Sequence, residues 1–487
     1  MFTFLISVVA LILGYFVYGR FVERVFAPDS RPTPAVTKAD GIDFVAMPNW
    51  KVFMIQFLNI AGTGPIFGAI MGAKFGPSAY LWIVFGCIFA GAVHDYFCGM
   101  LSMRHGGSDL PTLVEAYLGR GAAKVLLVFA VFLLVMLGTV FVYSPAEILG
   151  EIGGSTTMWI ALIFIYYIVA TMLPIDKIIG KVYPVFSFSL LFMAVALVAV
   201  LFIKHPVLPE LWDGLGNMGK QASTSFTDDI FPCLFITIAC GAISGFHATQ
   251  SPLMARCLKS ERMGRPIFYG AMITEGLVAL VWGTVSMWFF YDAPQPGYEQ
   301  IAGAEAAGFS TSAPMVVNLV CKDWLGILGG ILAMLGVVAA PITSGDTAFR
   351  SARLIIAQAL GLNQRPKRNR IYVCLPLFGV SVAILVWQIA SPDGFNTIWK
   401  YFGWANQTLS VFTLWTVTVY LVRNHKPYVI TLIPALFMTC VCSTFFFVSK
   451  QALALPAQVG YPLGIIVLMA AAVWFCLWLK KWKKSEK

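Results

Sequence analysis

The sequence has little charge and little histidine. Of its 487 residues, 11% are Asp, Glu, Lys or Arg and five are His, whereas 59% are hydrophobic. The mean hydropathy is +0.80. Because a soluble domain carries about 25% charged residues, this composition excludes a soluble globular protein, and its apolar content excludes a disordered chain. Long unbroken apolar runs, rather than short alternating strands, predict an all-α polytopic membrane protein.

Several sequence motifs are also missing. The ten cysteines form no CxxC pair and show no His-rich metal spacing, so we interpret them as reduced side chains that pack as small hydrophobes. The sequence has no P-loop, GxSxG or HExxH motif, which argues against ATP-driven pumping and hydrolysis. We therefore expect no enzymatic activity, no bound metal and no cofactor.

Hydropathy predicts thirteen membrane spans, each near the roughly 20 residues that a bilayer requires. The first is expected to be retained, because it has neither a basic leader nor a small-residue cleavage site. The predicted cores are 2–19, 52–72, 78–101, 122–143, 158–173, 182–203, 230–250, 267–290, 324–345, 371–390, 396–422, 428–449 and 460–480.

The basic residues support this count. With thirteen spans, 27 of the 33 Lys and Arg residues fall in alternate loops on one side, 5 fall on the other, and Lys400 lies within a span. Since cytoplasmic loops are enriched in Lys and Arg, this split predicts a periplasmic N-terminus and a cytoplasmic C-terminus. We attribute the net charge of +10 to topology and to contact with membrane lipids, not to nucleic-acid binding.

Two spans contain helix-breaking residues. The second span has Gly62, Thr63 and Gly64 followed by Pro65, and the seventh has Gly241, Ser244 and Gly245. Gly and Pro disfavour helix by about 1 and 3 kcal/mol, and unwound backbone at membrane depth is tolerated where it lines a cavity. These six residues from 62–64 and 241–245 are therefore predicted to bind substrate. The alternative is glycine-mediated packing of two ordinary helices.

The two predicted breaks lie five spans apart, so the two helices cross in opposite directions. This spacing is typical of an inverted repeat of five plus five helices, with one additional N-terminal helix and two additional C-terminal helices. The predicted divisions are an N-terminal helix and linker (1–51), a first repeat (52–203), a second repeat (230–422) and a C-terminal helix pair with a basic tail (428–487).

Ionisable residues within spans are candidates for function. Glu275 lies near the middle of the eighth span, where it could couple transport to an ion or serve as a protonated structural residue. His247 follows the seventh-span break and could bind substrate, relay a proton or pack in the core. His94 and Asp95 lie toward the cytoplasmic end of the third span. We expect them to pair with Arg104 or Arg350, and Asp95 is a further candidate for ion coupling.

Further polar residues in or beside the spans are also candidates. Thr343, Ser344 and Asp346 at the end of the ninth span could coordinate a cation or cap the following segment. Asn406 and Gln407 in the eleventh span are predicted to face the substrate cavity. The polar residues that flank the second-span break are Gln56 and Asn59.

Four segments resemble the carbon starvation protein A (CstA) family: IAGTGP (60–65), AGAVHDY (90–96), FPCLFITIACGAISGFH (231–247) and PITSGDTAFR (341–350). The resemblance extends through nearly the whole chain, although His94 departs from the family pattern, which has Gln there. It implies a bacterial inner-membrane transporter of the amino acid–polyamine–organocation superfamily with a leucine-transporter-like core. Family members are associated with peptide uptake and with proton-coupled pyruvate uptake, and the fold implies a sodium-type site at Thr343 and Ser344.

These observations predict a secondary active transporter that imports a small carboxylate nutrient, peptide or pyruvate, by alternating access. Protons are the expected coupling ion, with Na⁺ as the alternative. A channel or a membrane-embedded nutrient sensor are the competing hypotheses. The sequence leaves the solute, the coupling ion, the role of His94 and Asp95, and the oligomeric state open.

Overall fold

The described part of the chain is built from helices. The computed structural model describes residues 1–41, 43–172, 175–222, 224, 226–292, 313–364, 366–391 and 394–486, without the side chains of 151–152, 175–183, 327–330, 332–334 and 395–396. No strand occurs within these ranges, and the predicted all-helical class is confirmed for them.

Eight helices of the described residues are long and apolar enough to cross a membrane. They are Phe2–Phe26, Ser78–Arg104, Arg120–Gly150, Pro184–Lys204, Glu261–Tyr291, Lys367–Ala390, Val429–Val448 and Ala457–Ser485. A bent pair, Asn49–Ile60 and Gly64–Ala73, adds a ninth if it forms one span. The protein is therefore a multi-pass membrane protein.

The other predicted spans also lie on helical segments. Thr156–Met172 is a shorter apolar helix, and residue 173, the predicted end of that span, lies outside the described residues. Gly394–Arg423 covers the eleventh predicted span, and the seventh is divided between Phe235–Thr237 and His247–Ala255. The total of thirteen spans and the five-plus-five repeat remain predictions.

One helix is much longer than its apolar core. The ninth predicted span, 324–345, lies within a helix that runs from Ala313 to Ala359, with a kink where Gly326 has φ 64°. Hydropathy locates only the part of a helix that matches hydrocarbon. The backbone continues in helical form beyond it, through Asp346 and Arg350, because helical hydrogen bonding does not require apolar side chains.

The helices divide into central and peripheral groups. In the most apolar windows of Ser78–Arg104 and Glu261–Tyr291, 83% and 89% of residues are buried, against 11% in Ala457–Ser485. The peripheral helices expose large apolar side chains, which is the surface that lipid requires. Polar residues on the two central helices are therefore enclosed by protein.

Four of the helices that carry residues of the candidate site are named here by one of those residues. The Asp95 helix is Ser78–Arg104, the Glu275 helix is Glu261–Tyr291, the Ser344 helix is Ala313–Ala359 and the Asn406 helix is Gly394–Arg423.

A buried tyrosine satisfies a carbonyl group that a proline leaves unpaired. Pro145 lies inside the helix Arg120–Ile152 and lacks the N–H that would bond to the carbonyl of Phe141. The hydroxyl of Tyr167 donates to that carbonyl at 2.8 Å and lies 3.1 Å from the carbonyl of Pro341. One buried tyrosine thus connects this helix to the Ser344 helix.

Candidate functional site

Two interrupted helices meet in the interior. The first break comprises residues 61–63, between Asn49–Ile60 and Gly64–Ala73, whose axes differ by 50°. The second break comprises residues 238–246, between Phe235–Thr237 and His247–Ala255. Pro65 favours the first break by lacking a backbone N–H, and Gly241 in the second break has φ +90°, a backbone conformation that suits glycine.

The two breaks are in direct contact. A Cβ atom added to Gly64 would lie 2.2 Å from Sγ of Cys240, so only glycine fits there while that cysteine keeps its position. At the other side of the second break, a Cβ on Gly245 would lie 2.2 Å from the backbone oxygen of Asn406. The second break is therefore packed between the first break and the Asn406 helix.

A buried chain of ionisable side chains adjoins the second break. The Nδ1 atom of His247 lies 2.8 Å from Oδ2 of Asp95, and Nδ1 of His94 lies 2.8 Å from Oδ1 of the same carboxylate. All three side chains are fully buried. Since an ionised carboxylate only accepts hydrogen bonds, both histidines donate from Nδ1. Asp95 thereby fixes the ring of His247 with its Nε2 atom directed elsewhere.

That Nε2 atom faces a second carboxylate. It lies 3.5 Å from Oε2 of Glu275, and neither oxygen of Glu275 nor Nε2 of His247 has a hydrogen-bond partner. Glu275 is completely buried. The Sγ atom of Cys240, Nε2 of His247 and a carboxylate oxygen of Glu275 all lie within 4.8 Å of one another. We call Cys240, His247, Glu275 and Asp95 the central cluster.

Asn406 anchors the second break. Its Oδ1 atom accepts hydrogen bonds from the backbone N–H of Phe246 at 2.6 Å and from the hydroxyl of Ser244 at 3.1 Å. Gln407 donates from Nε2 to the carbonyl of Phe235 at 2.8 Å, and its Oε1 has no partner. These two amides stabilise irregular backbone that could not otherwise be buried without cost.

Polar side chains at the first break lack partners. Both amide atoms of Asn59 and the hydroxyl oxygen of Thr63 are buried without a hydrogen bond, as is Oε1 of Gln56. Buried polar groups in folded proteins are normally paired. These unpaired groups next to unwound backbone are therefore suited to contact a polar solute.

The Ser344 helix contacts the first break. The hydroxyl of Ser344 lies 3.2 Å from the carbonyl oxygen of Leu58 and 3.1 Å from that of Asn59, and it can donate to either. Thr343 bonds within its own helix, to the carbonyl of Ala340 at 2.9 Å. Carbonyl and hydroxyl oxygens together are the ligand types that a hard cation requires.

Two expected ion pairs are not formed. Asp95 pairs with histidines, not with Arg104 or Arg350. Arg104 follows Asp95 by nine residues, about 13.5 Å along a helix at 1.5 Å per residue, and donates instead to Glu261 at 3.1 and 3.2 Å. Arg350 lies 3.9 Å from Asp346, so Asp346 serves a separate ion pair.

The Arg104–Glu261 pair belongs to a network at the end of the Asp95 helix. Glu261 accepts from the backbone N–H of Asp29 at 3.1 Å, and Arg104 also donates to the carbonyl of Ala27 at 2.8 Å. Hydrogen bonds from Arg31 lower the pKa of the exposed Asp29 carboxyl to about 2. The network connects the loop after the first helix to the Asp95 and Glu275 helices.

Most predicted site residues lie at or beside the two breaks. Gly62, Thr63 and Gly64 lie at the first break, where Ser344 also reaches, while Gly241, Ser244, Gly245, His247, Asn406 and Gln407 lie at or against the second. Glu275 and Asp95 flank His247. The sequence interpretation missed Cys240 as a polar site residue, although its position within the second break was a usable signal.

Comparison of the sequence with family models identifies the family of this chain. The fold is that of a multi-pass membrane transporter, with two interrupted helices around a buried polar site. The family model for the carbon starvation protein CstA matches residues 1–153, 141–293 and 298–445. The chain belongs to the carbon starvation protein CstA family.

The chain is also similar to curated proteins. A Haemophilus influenzae protein described as an uncharacterized membrane protein is 46% identical over 343 residues, covering 60% of this chain and 92% of that protein. The peptide transporter CstA of Bacillus subtilis is 26% identical over 589 residues, covering 99% of this chain and 96% of that protein.

Solved structures share the fold. A mutant of the Eremococcus coleocola manganese transporter superposes with a TM-score of 0.56 at 10% identity, covering 91% of this chain and 99% of that one. A Na⁺-coupled sialic acid symporter gives a TM-score of 0.53 at 13% identity, covering 95% and 96%. At these identities the likeness concerns the fold alone.

Proposed function

We propose that this chain is a secondary active transporter that imports a small carboxylate nutrient, a peptide or pyruvate, by alternating access. The observation that carries this proposal is the contact between two interrupted helices at a buried polar site. Relatives named peptide transporters support the peptide alternative. In the proposed topology, thirteen spans in an inverted five-plus-five repeat cross the bacterial inner membrane, with a periplasmic N-terminus and a cytoplasmic C-terminus.

The proposed substrate site lies between the breaks. Unwound backbone at the first break offers N–H groups to a carboxylate, and Asn59 and Thr63 have unpaired polar atoms beside it. Pyruvate requires only such groups. A peptide also requires an acceptor for its amino group, and the Glu275 carboxylate, which lacks hydrogen-bond partners, is the proposed acceptor in that case.

The proposed coupling ion is the proton. Asp95, His247 and Glu275 form a continuous buried series of proton-binding groups with separations of 2.8 and 3.5 Å. Intramembrane series of this type are common in proton-coupled transporters. Na⁺ is the second candidate, at the oxygens of Thr343, Ser344 and the carbonyls of Leu58 and Asn59.

Uptake into proteoliposomes tests the proposal. Labelled pyruvate and labelled di- and tripeptides are offered with an inward proton gradient, with an inward Na⁺ gradient, and with neither. Accumulation above equilibrium only with the proton gradient supports proton-coupled import, and the accumulated solute identifies the substrate. Flux that merely equilibrates indicates a channel, and binding without transport indicates a sensor.

Replacement of Glu275 tests the coupling residue. With pyruvate as the solute, we expect Glu275→Gln to retain exchange across the membrane but to lose accumulation driven by the proton gradient, because the amide cannot carry the proton. With a peptide as the solute, exchange should also weaken, because the carboxylate proposed to accept its amino group is lost. Glu115→Gln is the matched control, since that glutamate lies at the surface and pairs with the exposed Arg120. Full gradient-driven accumulation by Glu275→Gln would refute its coupling role.

A further inference from the structure

Three side chains of the central cluster direct potential metal-ligand atoms toward one point, and Sγ of Cys240 also contacts the hydroxyl of Ser244 at 3.4 Å. Sγ of Cys240, Nε2 of His247 and a Glu275 oxygen lie within 4.8 Å of one another, and the three side chains are buried. Nε2 of His247 and both carboxylate oxygens of Glu275 have no hydrogen-bond partner. Because buried polar atoms are normally paired, this arrangement suggests a ligand shared by all three.

We propose that Cys240, His247 and Glu275 bind a divalent transition-metal ion of the zinc type. A thiolate, an imidazole and a carboxylate are ligands that Zn²⁺ and its neighbours in the first row accept together. Bonds of about 2.0–2.3 Å at tetrahedral angles place ligand atoms about 3.3–3.8 Å apart, so atoms separated by up to 4.8 Å must approach one another by roughly 1 Å. The thiolate disfavours Mg²⁺ and Ca²⁺, which prefer oxygen.

The surroundings of His247 match those of a metal ligand. A metal-binding histidine usually donates its other ring N–H to a carboxylate, which fixes the ring and the tautomer. Asp95 accepts that bond from Nδ1 at 2.8 Å, and it is itself held by His94 at 2.8 Å. Nε2 is thereby left as the atom directed at Cys240 and Glu275.

Charge also favours a dication. With a metal ion bound, the Cys240 thiolate and the Glu275 carboxylate would together place two negative charges in the interior, where unpaired charge is costly. In the described part of the chain, the basic side chain that lies within 4.0 Å of the Glu275 carboxylate is His247. A divalent ion would neutralise both groups, and three protein ligands leave a fourth position for water or a solute group.

A bound ion would connect elements that alternating access must separate. Cys240 lies within the second break and His247 begins the helix after it, whereas Glu275 belongs to a different helix. A metal ion across all three would hold the second break against the Glu275 helix. We therefore expect the ion to inhibit uptake, a consequence that rests on the proposed function, whereas binding itself does not.

Cobalt provides a direct probe. The detergent-purified full-length chain is titrated with Co²⁺ and followed by absorption, because a cobalt–thiolate bond gives a near-ultraviolet charge-transfer band. We expect one Co²⁺ per chain with this band, displaced by Zn²⁺ and abolished in Cys240→Ser. Cys442→Ser, a change at a buried cysteine of the helix Val429–Val448, should keep the band. A wild-type titration without the band, or the same band in Cys240→Ser, overturns the proposal.

A second variant protects the test against misfolding. Asp95→Asn keeps all three ligands and removes only the carboxylate behind His247, so we expect Co²⁺ binding about 10–100-fold weaker with the thiolate band retained at saturation. Unchanged Co²⁺ affinity in Asp95→Asn would overturn the role of Asp95. Loss of the band in Cys240→Ser, with folding verified by gel filtration, would still identify the Cys240 thiol as a ligand. Because binding is measured without transport, failure here is distinguishable from failure of the proposed function.

Discussion

The two interrupted helices solve the same backbone problem in different ways. The first break is three residues long, and two neutral side chains there are unpaired: Thr63 within the break and Asn59 shortly before it. The second break is nine residues long, and its backbone and side chains are held by Asn406. His247, directly after it, is fixed by Asp95.

The difference in length between the two breaks gives them different structural requirements. A long irregular segment inside a membrane protein exposes many backbone polar groups, so it needs partners from a neighbouring helix. A short break needs few such partners and can leave side chains available to a solute. We infer that the second break is a preorganised scaffold, and that the first is the more adaptable part of the site.

We expect the largest loss of stability from Gly→Ala substitutions at the two breaks. In Gly245→Ala the new Cβ would lie 2.2 Å from the backbone oxygen of Asn406 and 2.5 Å from the backbone nitrogen of Ser410. Backbone cannot move aside as a side chain can, so we expect a loss of about 3 kcal/mol or more. Thermal unfolding in detergent measures it. In Gly379→Ala, the control, no atom lies within 4 Å of the new Cβ.

A second-site substitution tests whether side chain or backbone obstructs the new Cβ at each break. At the first break, a Cβ on Gly64 would collide with Sγ and Cβ of Cys240, at 2.2 and 2.3 Å. We expect Cys240→Gly to restore folding to Gly64→Ala, because the obstruction is a side chain, and to leave Gly245→Ala unchanged. Rescue of both variants, or of neither, would contradict this distinction between the breaks.

Removal of the Asn406 amide should be the next largest effect. Asn406→Ala leaves the buried N–H of Phe246 and the hydroxyl of Ser244 without their acceptor, which we expect to cost about 1–3 kcal/mol. Asn424→Ala, at an exposed asparagine, should change stability by less than about 0.5 kcal/mol. Equal unfolding temperatures for the two variants would show that the second break does not depend on this anchor.

Ser344→Ala should have a smaller effect on stability. It removes a hydroxyl that bonds to the carbonyls of Leu58 and Asn59, for which we expect about 0.5–1.5 kcal/mol. With proton coupling, accumulation in this variant should still follow the proton gradient. Ser410→Ala is the control, because that hydroxyl bonds within its own helix. Uptake that depends on Na⁺ in the wild type and is lost only in Ser344→Ala would instead assign Na⁺ coupling.

The smallest stability effect is expected at Asn59. Its amide forms no hydrogen bond, so Asn59→Ala should change the free energy of unfolding by less than about 0.5 kcal/mol, unlike Asn406→Ala. If the first break contacts solute, the KM of uptake should rise about tenfold, equivalent to about 1.4 kcal/mol of binding. Normal uptake together with reduced stability would place this amide in the structural class of Asn406.

Much of the fold could be predicted because its signals are local. Long apolar segments located the helices, and Gly–Pro-rich sequence located both breaks, since hydrocarbon and helix geometry act on neighbouring residues. The lengths of the helices could be predicted less well from the sequence. The Ser344 helix extends to Ala359, well past the apolar core predicted to end at 345, because polar ends of helices have no hydropathy signal.

From sequence alone, a helical membrane chain, two interrupted helices and a buried glutamate can be predicted, because composition and local helix preference fix these features. Which polar groups contact one another depends on the packing of helices in three dimensions. Asp95 lies 152 residues from its partner His247 in the sequence. Arg104, a predicted partner of Asp95, lies too far along the same helix to reach it. Contacts between helices depend on how their faces pack, and a residue's own neighbours in sequence do not record that packing.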